Sequence, residues 1–207
     1  GIVVGASSGF FTTKGGYIKD SRSATLDFSG TDGAGAACDI DGTSLSVYDG
    51  AVGGANATVP TIKLPVDATT APNRGFRGVH ANGCILVEDP GSQDSRFLGC
   101  VGRNVNFTGE PGKFFMEGCR IASSGADVTI RGTQGMFVGN AIAGKLLLGG
   151  TMTNCTVAAN VVAGDIAVGA STSLNVITGN SPSTGIITDA GTNNVIIEGK
   201  IPRSGYK

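Results

Sequence analysis

Several stretches of this 207-residue chain carry residue types at spacings that could do chemistry. Val3-Val4-Gly5-Ala6-Ser7-Ser8-Gly9 has the glycine pattern of a loop that brings a helix N-terminus to a pyrophosphate. The next glycine such a loop needs is Phe11, no Tyr-x-x-x-Lys follows, and the Gly- and Thr-rich text after it leaves no helix to hold a phosphate. The same residues spell G-x-S-x-G, the strained turn that exposes a nucleophilic serine. His80 is the only histidine able to act as its base, and no alternating strand–helix pattern surrounds it, so Ser7 reads as a turn residue. Gly139-x-x-x-x-Gly144-Lys145 imitates a phosphate-binding loop, but Leu146 stands where Ser or Thr would hold magnesium.

Carboxylates are the other candidates, because glycoside hydrolysis needs two of them about 5–5.5 Å or about 6.5–9.5 Å apart. In the last third of the chain only Asp165, Asp189 and Glu198 are available. One coil of rise plus four extended residues would put Asp165 and Asp189 about 14 Å apart, a poor dyad. Upstream, Glu88, Asp89, Asp94, Glu110 and Glu117 lie in or beside loops and read as a solvated edge that could still converge. Asp32, Asp39 and Asp41 lack the ligand spacing of an EF-hand loop. No metal, cofactor or catalytic residue is expected. His80 reads as structural, its alternative being one arm of a symmetric metal site on a threefold axis.

The cysteines add no metal motif: there are five, without a CxxC. Cys84, Cys100 and Cys119 each follow a glycine, and the last two fall roughly where asparagines fall later in the chain. They read as small apolar fillers, with a disulfide between neighbouring layers sterically allowed as the minor alternative. Three Asn-x-Thr sequons, at Asn56, Asn106 and Asn154, read as chance.

The elements that carry these residues come from a repeat. Phe137, Val157, Ile177 and Ile197 fall at a 20-residue spacing, as do Leu146, Ile166 and Ile186. Gly139, Ala159, Gly179 and Gly199 form another column, with Asn140, Asn160 and Asn180 directly after the first three. Ile142 aligns with Val162, and Leu148 with Val168. A fixed period in this range marks a solenoid, and short β-branched runs between Gly and Asn make its unit a set of strands. The expected fold is all-β: a right-handed parallel β-helix of about 20 residues per coil. Asn140, Asn160 and Asn180 are expected at corners, their amides bonded to one another along the stack.

Leu146-Leu147-Leu148, Val176-Ile177 and Val195-Ile196-Ile197 are apolar on both faces of their strands. A strand apolar on both sides is normally covered on both sides, which predicts a further subunit and, with parallel solenoids side by side, a homotrimer. Organisation is expected as residues 1–74, an irregular β-structured region serving as a cap or as ragged coils; 75–200, the β-helix; and 201–207, a tail.

Composition excludes several classes. Glycine is 35 of 207 without a Gly-X-Y period, so this is no collagen. Net charge is −1 with the charges scattered singly, so a nucleic-acid partner is not expected. No run reaches the roughly 18 apolar residues of a membrane helix, and Gly1-Ile2-Val3-Val4 lacks the features of a signal peptide.

With the corner repeat from Gly139 through Lys200, apolar columns on two faces and the ending Glu198-Gly199-Lys200-Ile201-Pro202-Arg203-Ser204-Gly205-Tyr206-Lys207, the chain resembles bacteriophage tail spikes and baseplate central spikes built on parallel β-helices. The resemblance covers about 130 residues and is one of architecture. It implies a homotrimeric virion protein of the phage tail, assembled in the host cytoplasm beside other tail or baseplate proteins. Such spikes either bind or cleave host surface polysaccharide or puncture the outer membrane mechanically. Puncturing tips often carry a His-x-His iron site, which a chain with one histidine does not have. Short turns and few charges after Gly132 favour the non-enzymatic, needle-like form. The alternatives are a β-helical depolymerase using acids before Gly132, and a glycan-binding adhesin without turnover.

Overall fold

The computed structural model describes residues 2–3, 10–20, 26–27, 37–47, 60–64, 74–81, 84–87, 95–102, 104–107, 112–121, 127–184 and 186–197. Its strands run in a fixed rotation, each coil giving one strand to each of three sheets. Among the described residues the first sheet has nine strands, from Ile2–Val3 to Ile187–Asp189. The second also has nine, from Phe10–Lys14 to Val195–Ile197. The third has eight, from Tyr17–Asp20 to Ser181–Pro182. Strands within a sheet pair in parallel, as in Leu146↔Ile166, Phe137↔Val157 and Ile142↔Val162. The fold is a parallel β-helix.

The period-2 alternation of a strand decides what goes inside. Leu146 and Leu148 are buried while Leu147 between them is half-exposed, and Phe137 is buried between the outward Met136 and Val138. In-register stacking turns each inward position into a column. The longest described column runs Ile40, Phe76, Phe97, Met116, Phe137, Val157, Ile177, Ile196. Within it the Phe76 and Phe97 rings stack with centroids 4.8 Å apart and an interplanar angle of 6°. At about 1.5–3 kcal/mol for each large apolar side chain fully buried, such columns are the main source of stability.

The last coil departs from the strict 20-residue reading. Ile177 pairs with Ile196 and Ile166 with Ile187, so the columns expected to end on Ile197 and Ile186 end one residue away. Ile197 is 56% and Ile186 49% exposed. Turn length is the physical reason. The stretch 183–186 is one residue longer than 143–145 or 163–165, and the turn before Asn194 is two residues shorter than the one before Asn175. Side chains alternate in and out, so a one-residue slip reverses the face. Gly199, the expected last member of its column, lies outside the described residues, as does the tail 201–207.

The described strands before residue 74 join the same three sheets as later ones. Leu26 pairs with Ile62, Ile18 with Leu45, and Ile40 with Phe76. These strands extend the stacked coils of the later chain.

One corner recurs between the second and third sheets. Gly15, Gly42, Gly78, Gly99, Gly118, Gly139 and Gly179 occupy it with φ between 56° and 65°, and Ala159 holds the same place at φ 54°. A Cβ is unfavourable in this left-handed conformation by about 1–2 kcal/mol. Part of that is offset because glycine loses more chain entropy on folding. Ala159→Gly is therefore expected to raise stability by about 0.5–1 kcal/mol, measurable as a rise in the thermal midpoint.

Candidate functional site

From Gly42 onward, the residue after each left-handed corner points inward. Thr43, Val79, Cys100, Cys119, Asn140, Asn160 and Asn180 hold these positions, all buried. A corner N–H has left its strand and needs another acceptor, which the next coil supplies. Cys119 N donates to Asn140 Oδ1 at 2.9 Å, Asn140 N to Asn160 Oδ1 at 2.9 Å, and Asn160 N to Asn180 Oδ1 at 3.0 Å. The amide groups continue the chain: Asn140 Nδ2 donates to Asn160 Oδ1 at 3.0 Å, and Asn160 Nδ2 to Asn180 Oδ1 at 2.9 Å. The same Nδ2 groups also donate to carbonyls inside the coil, at Met116, Phe137 and Val157. The ladder expected from sequence is thus present at Asn140, Asn160 and Asn180.

A second ladder went unread in the sequence. At the corner between the first and second sheets, Gly135 N donates to Cys155 Sγ, Cys155 N to Asn175 Oδ1 at 3.0 Å, and Asn175 N to Asn194 Oδ1 at 3.1 Å. Its signal was faint because it has only two asparagines, 19 residues apart. Gly135 must lack a side chain here: an added Cβ would fall 2.1 Å from the Phe114 ring. The residues before these corners, Gln134, Asn154, Leu174 and Asn193, also have positive φ. Leu174 is bulky and exposed as well.

The structure does not gather the chemical candidates into a described catalytic centre. Asp189 accepts from Gly191 N at 2.9 Å and Asn194 Nδ2 at 3.0 Å, and Asp165 accepts from Thr184 Oγ1, so both acids fasten turns. Glu117 and His80 are exposed, and His80 sits in register with Ser44 and Val101 on the third sheet. Lys145 precedes a strand, not the helix a phosphate loop needs. Among the described residues no cluster of three or more His, Cys, Asp or Glu could hold a metal. Residues 4–9, Asp32, Glu88, Asp89, Asp94, Glu110 and Glu198 lie outside the described residues, and so does the side chain of Asp39. Cys100 and Cys119 are buried free thiols, which agrees with their reading as fillers, and Cys155 is a third.

Part of what the described coils present outward is apolar surface. On the second sheet the in-register row Met136, Thr156, Val176, Val195 and its companion Val138, Ala158, Thr178, Ile197 carry no charge. Met136 is 45%, Val176 38% and Val195 51% exposed. The row ends at Phe115, over which the Arg96 guanidinium sits at 4.9 Å from the ring centroid, with Glu117 alongside. On the third sheet, Ala141, Val161 and Ser181, with Ala143 and Ala163, line a shallow groove of about 480 Å³ closed at one end by Arg120.

Comparison with protein-family models, with curated proteins and with solved structures finds no match. Any functional reading therefore rests on the geometry of this chain.

Proposed function

We propose that this chain is a structural virion protein of a phage tail, a trimeric spike or spike tip acting in host attachment and mechanical penetration of the cell envelope. The observation that carries the reading is the uncharged outward face of the second sheet across its last four strands. Exposed valine, methionine and isoleucine in register over successive coils make a face that water does not favour and a second solenoid would. Mechanical stiffness has its own support. Coils from Met136 to Ser183 are joined by short turns, filled with apolar columns and pinned at two corners by buried amide ladders. In this reading the partners are two further copies of the chain, other tail or baseplate proteins, and the host surface.

A double substitution tests the face directly. Val176 and Val195 are already exposed in the protomer, so Val176→Lys with Val195→Lys should leave the circular dichroism spectrum unchanged. The mass in solution should fall from three chains to one, because six new positive charges cannot be buried together. An unchanged three-chain mass would remove this face from the interface. Release of reducing ends or unsaturated sugars from host polysaccharide would instead select the depolymerase. Binding to cells without turnover would select the adhesin.

A further inference from the structure

The corner between the second and third sheets holds two cysteines in consecutive coils. Val101 pairs with Arg120, and Arg120 N donates to Cys100 O at 2.8 Å, so Cys100 and Cys119 are stacked neighbours. Their α-carbons are one inter-strand spacing apart, about 4.8 Å, inside the roughly 4.4–6.8 Å over which disulfides form. Both side chains turn into the core, at 2% and 1% exposure. Cys100 Sγ lies 3.3 Å from Phe76 O and Cys119 Sγ 3.4 Å from Phe97 O, equivalent places one coil apart. Filling the corner needs only one small side chain per coil, and Thr43, Val79 and the asparagines do it elsewhere. Cys155 fills the other corner with equal burial, but its stack neighbours are Gly135 and Asn175, so it has no sulfur partner along its column.

We infer that Cys100 and Cys119 form a redox site, in which a low-molecular-weight disulfide converts the two stacked thiols into a cross-link between consecutive coils. One of the two thiolates attacks one sulfur of the reagent, forming a mixed disulfide and releasing one reagent thiol. The other thiolate then displaces the second reagent thiol. The protein loses two hydrogens and the reagent disulfide is reduced to two thiols. The Cys119 thiol hydrogen-bonds to Cys100 and holds the Cys100 thiol below its ordinary value, while that contact and burial push Cys119 up. The β-carbons must approach by about 1 Å to reach disulfide geometry. The bridge would tie two coils just before the repeat settles to its regular length, and it stands independently of the trimeric reading.

The test uses oxidised glutathione on the full chain in two arms, one folded and one refolding from denaturant. Each is then denatured, alkylated with iodoacetamide and digested with trypsin, which separates Phe97–Arg103 from Phe114–Arg120. The expected result, in either arm, is these two peptides joined and lighter by two hydrogens. Alkylation of Cys100 and Cys119 is lost in step, Cys155 stays fully alkylated, and the thermal midpoint rises until reductant reverses it. Full alkylation of Cys100 and Cys119 in both arms would overturn the inference. So would linkage of either one to Cys38 or Cys84, or a stable mixed disulfide with glutathione.

Discussion

Asn160→Leu is expected to lower stability by about 3–5 kcal/mol, because it leaves several buried polar groups without partners at roughly 1–3 kcal/mol each. Asn160 Oδ1 accepts from both the backbone N–H and the Nδ2 of Asn140, and its own Nδ2 donates to Phe137 O and Asn180 Oδ1. Leucine keeps asparagine's branched skeleton of four side-chain heavy atoms, although its methyl groups are bulkier than an amide's oxygen and nitrogen. The penalty comes from orphaned donors and acceptors in a place water does not reach. Denaturant unfolding of the variant beside the native chain measures it. A loss below about 1 kcal/mol would mean that the ladder contributes no more than one ordinary hydrogen bond. A control at Asn154, an exposed turn residue with positive φ, separates the ladder from asparagine's turn preference. Asn154→Gly should be close to neutral, since glycine accepts that conformation freely.

Phe137→Ala carries the second large effect, also about 3–5 kcal/mol, from lost transfer energy plus the cavity left behind. Phe137 is fully buried, with Met116 stacked on one side and Val157 on the other. Neighbouring coils are held in register by their hydrogen bonds, so the column cannot collapse along the axis to fill the gap. The outward neighbour Val138 is the matched control. Val138→Ala removes apolar surface from a half-exposed site and should cost no more than about 0.5 kcal/mol in the monomer. If the two substitutions destabilised equally, the in–out assignment of this strand would be wrong. In a solenoid each coil contacts chiefly its neighbours, so hydrogen exchange should show the loss concentrated around residues 112–162.

Much of this was legible in the sequence where coils have equal length. From Phe137 to Asn180 every turn repeats, so one spacing placed the core columns and the asparagine corner together. The last coil was misread at Ile186 and Ile197 because one turn lengthens while another shortens, and a fixed period cannot see compensating changes. Early coils were hidden for a related reason. Phe10 pairs with Ala37 and Cys38 with Arg74, so long insertions separate strands that stack directly. Their strand alternation was readable, but not which strands were partners. The ladder through Asn175 and Asn194 was hidden by its short run and unequal spacing. Function was the least legible, because outward residues such as Met136, Val176 and Val195 take their meaning from what covers them, and no sequence period encodes a partner.

The central claim is that the outward apolar face of this β-helix is covered by further copies of the same chain. Absolute mass by light scattering, followed by electrophoresis in SDS with and without boiling, tests it most directly. The account predicts a species of three chains in solution that persists in unheated SDS and separates into single chains on boiling. A clean monomer in solution at all working concentrations would contradict it, and with it the trimeric spike.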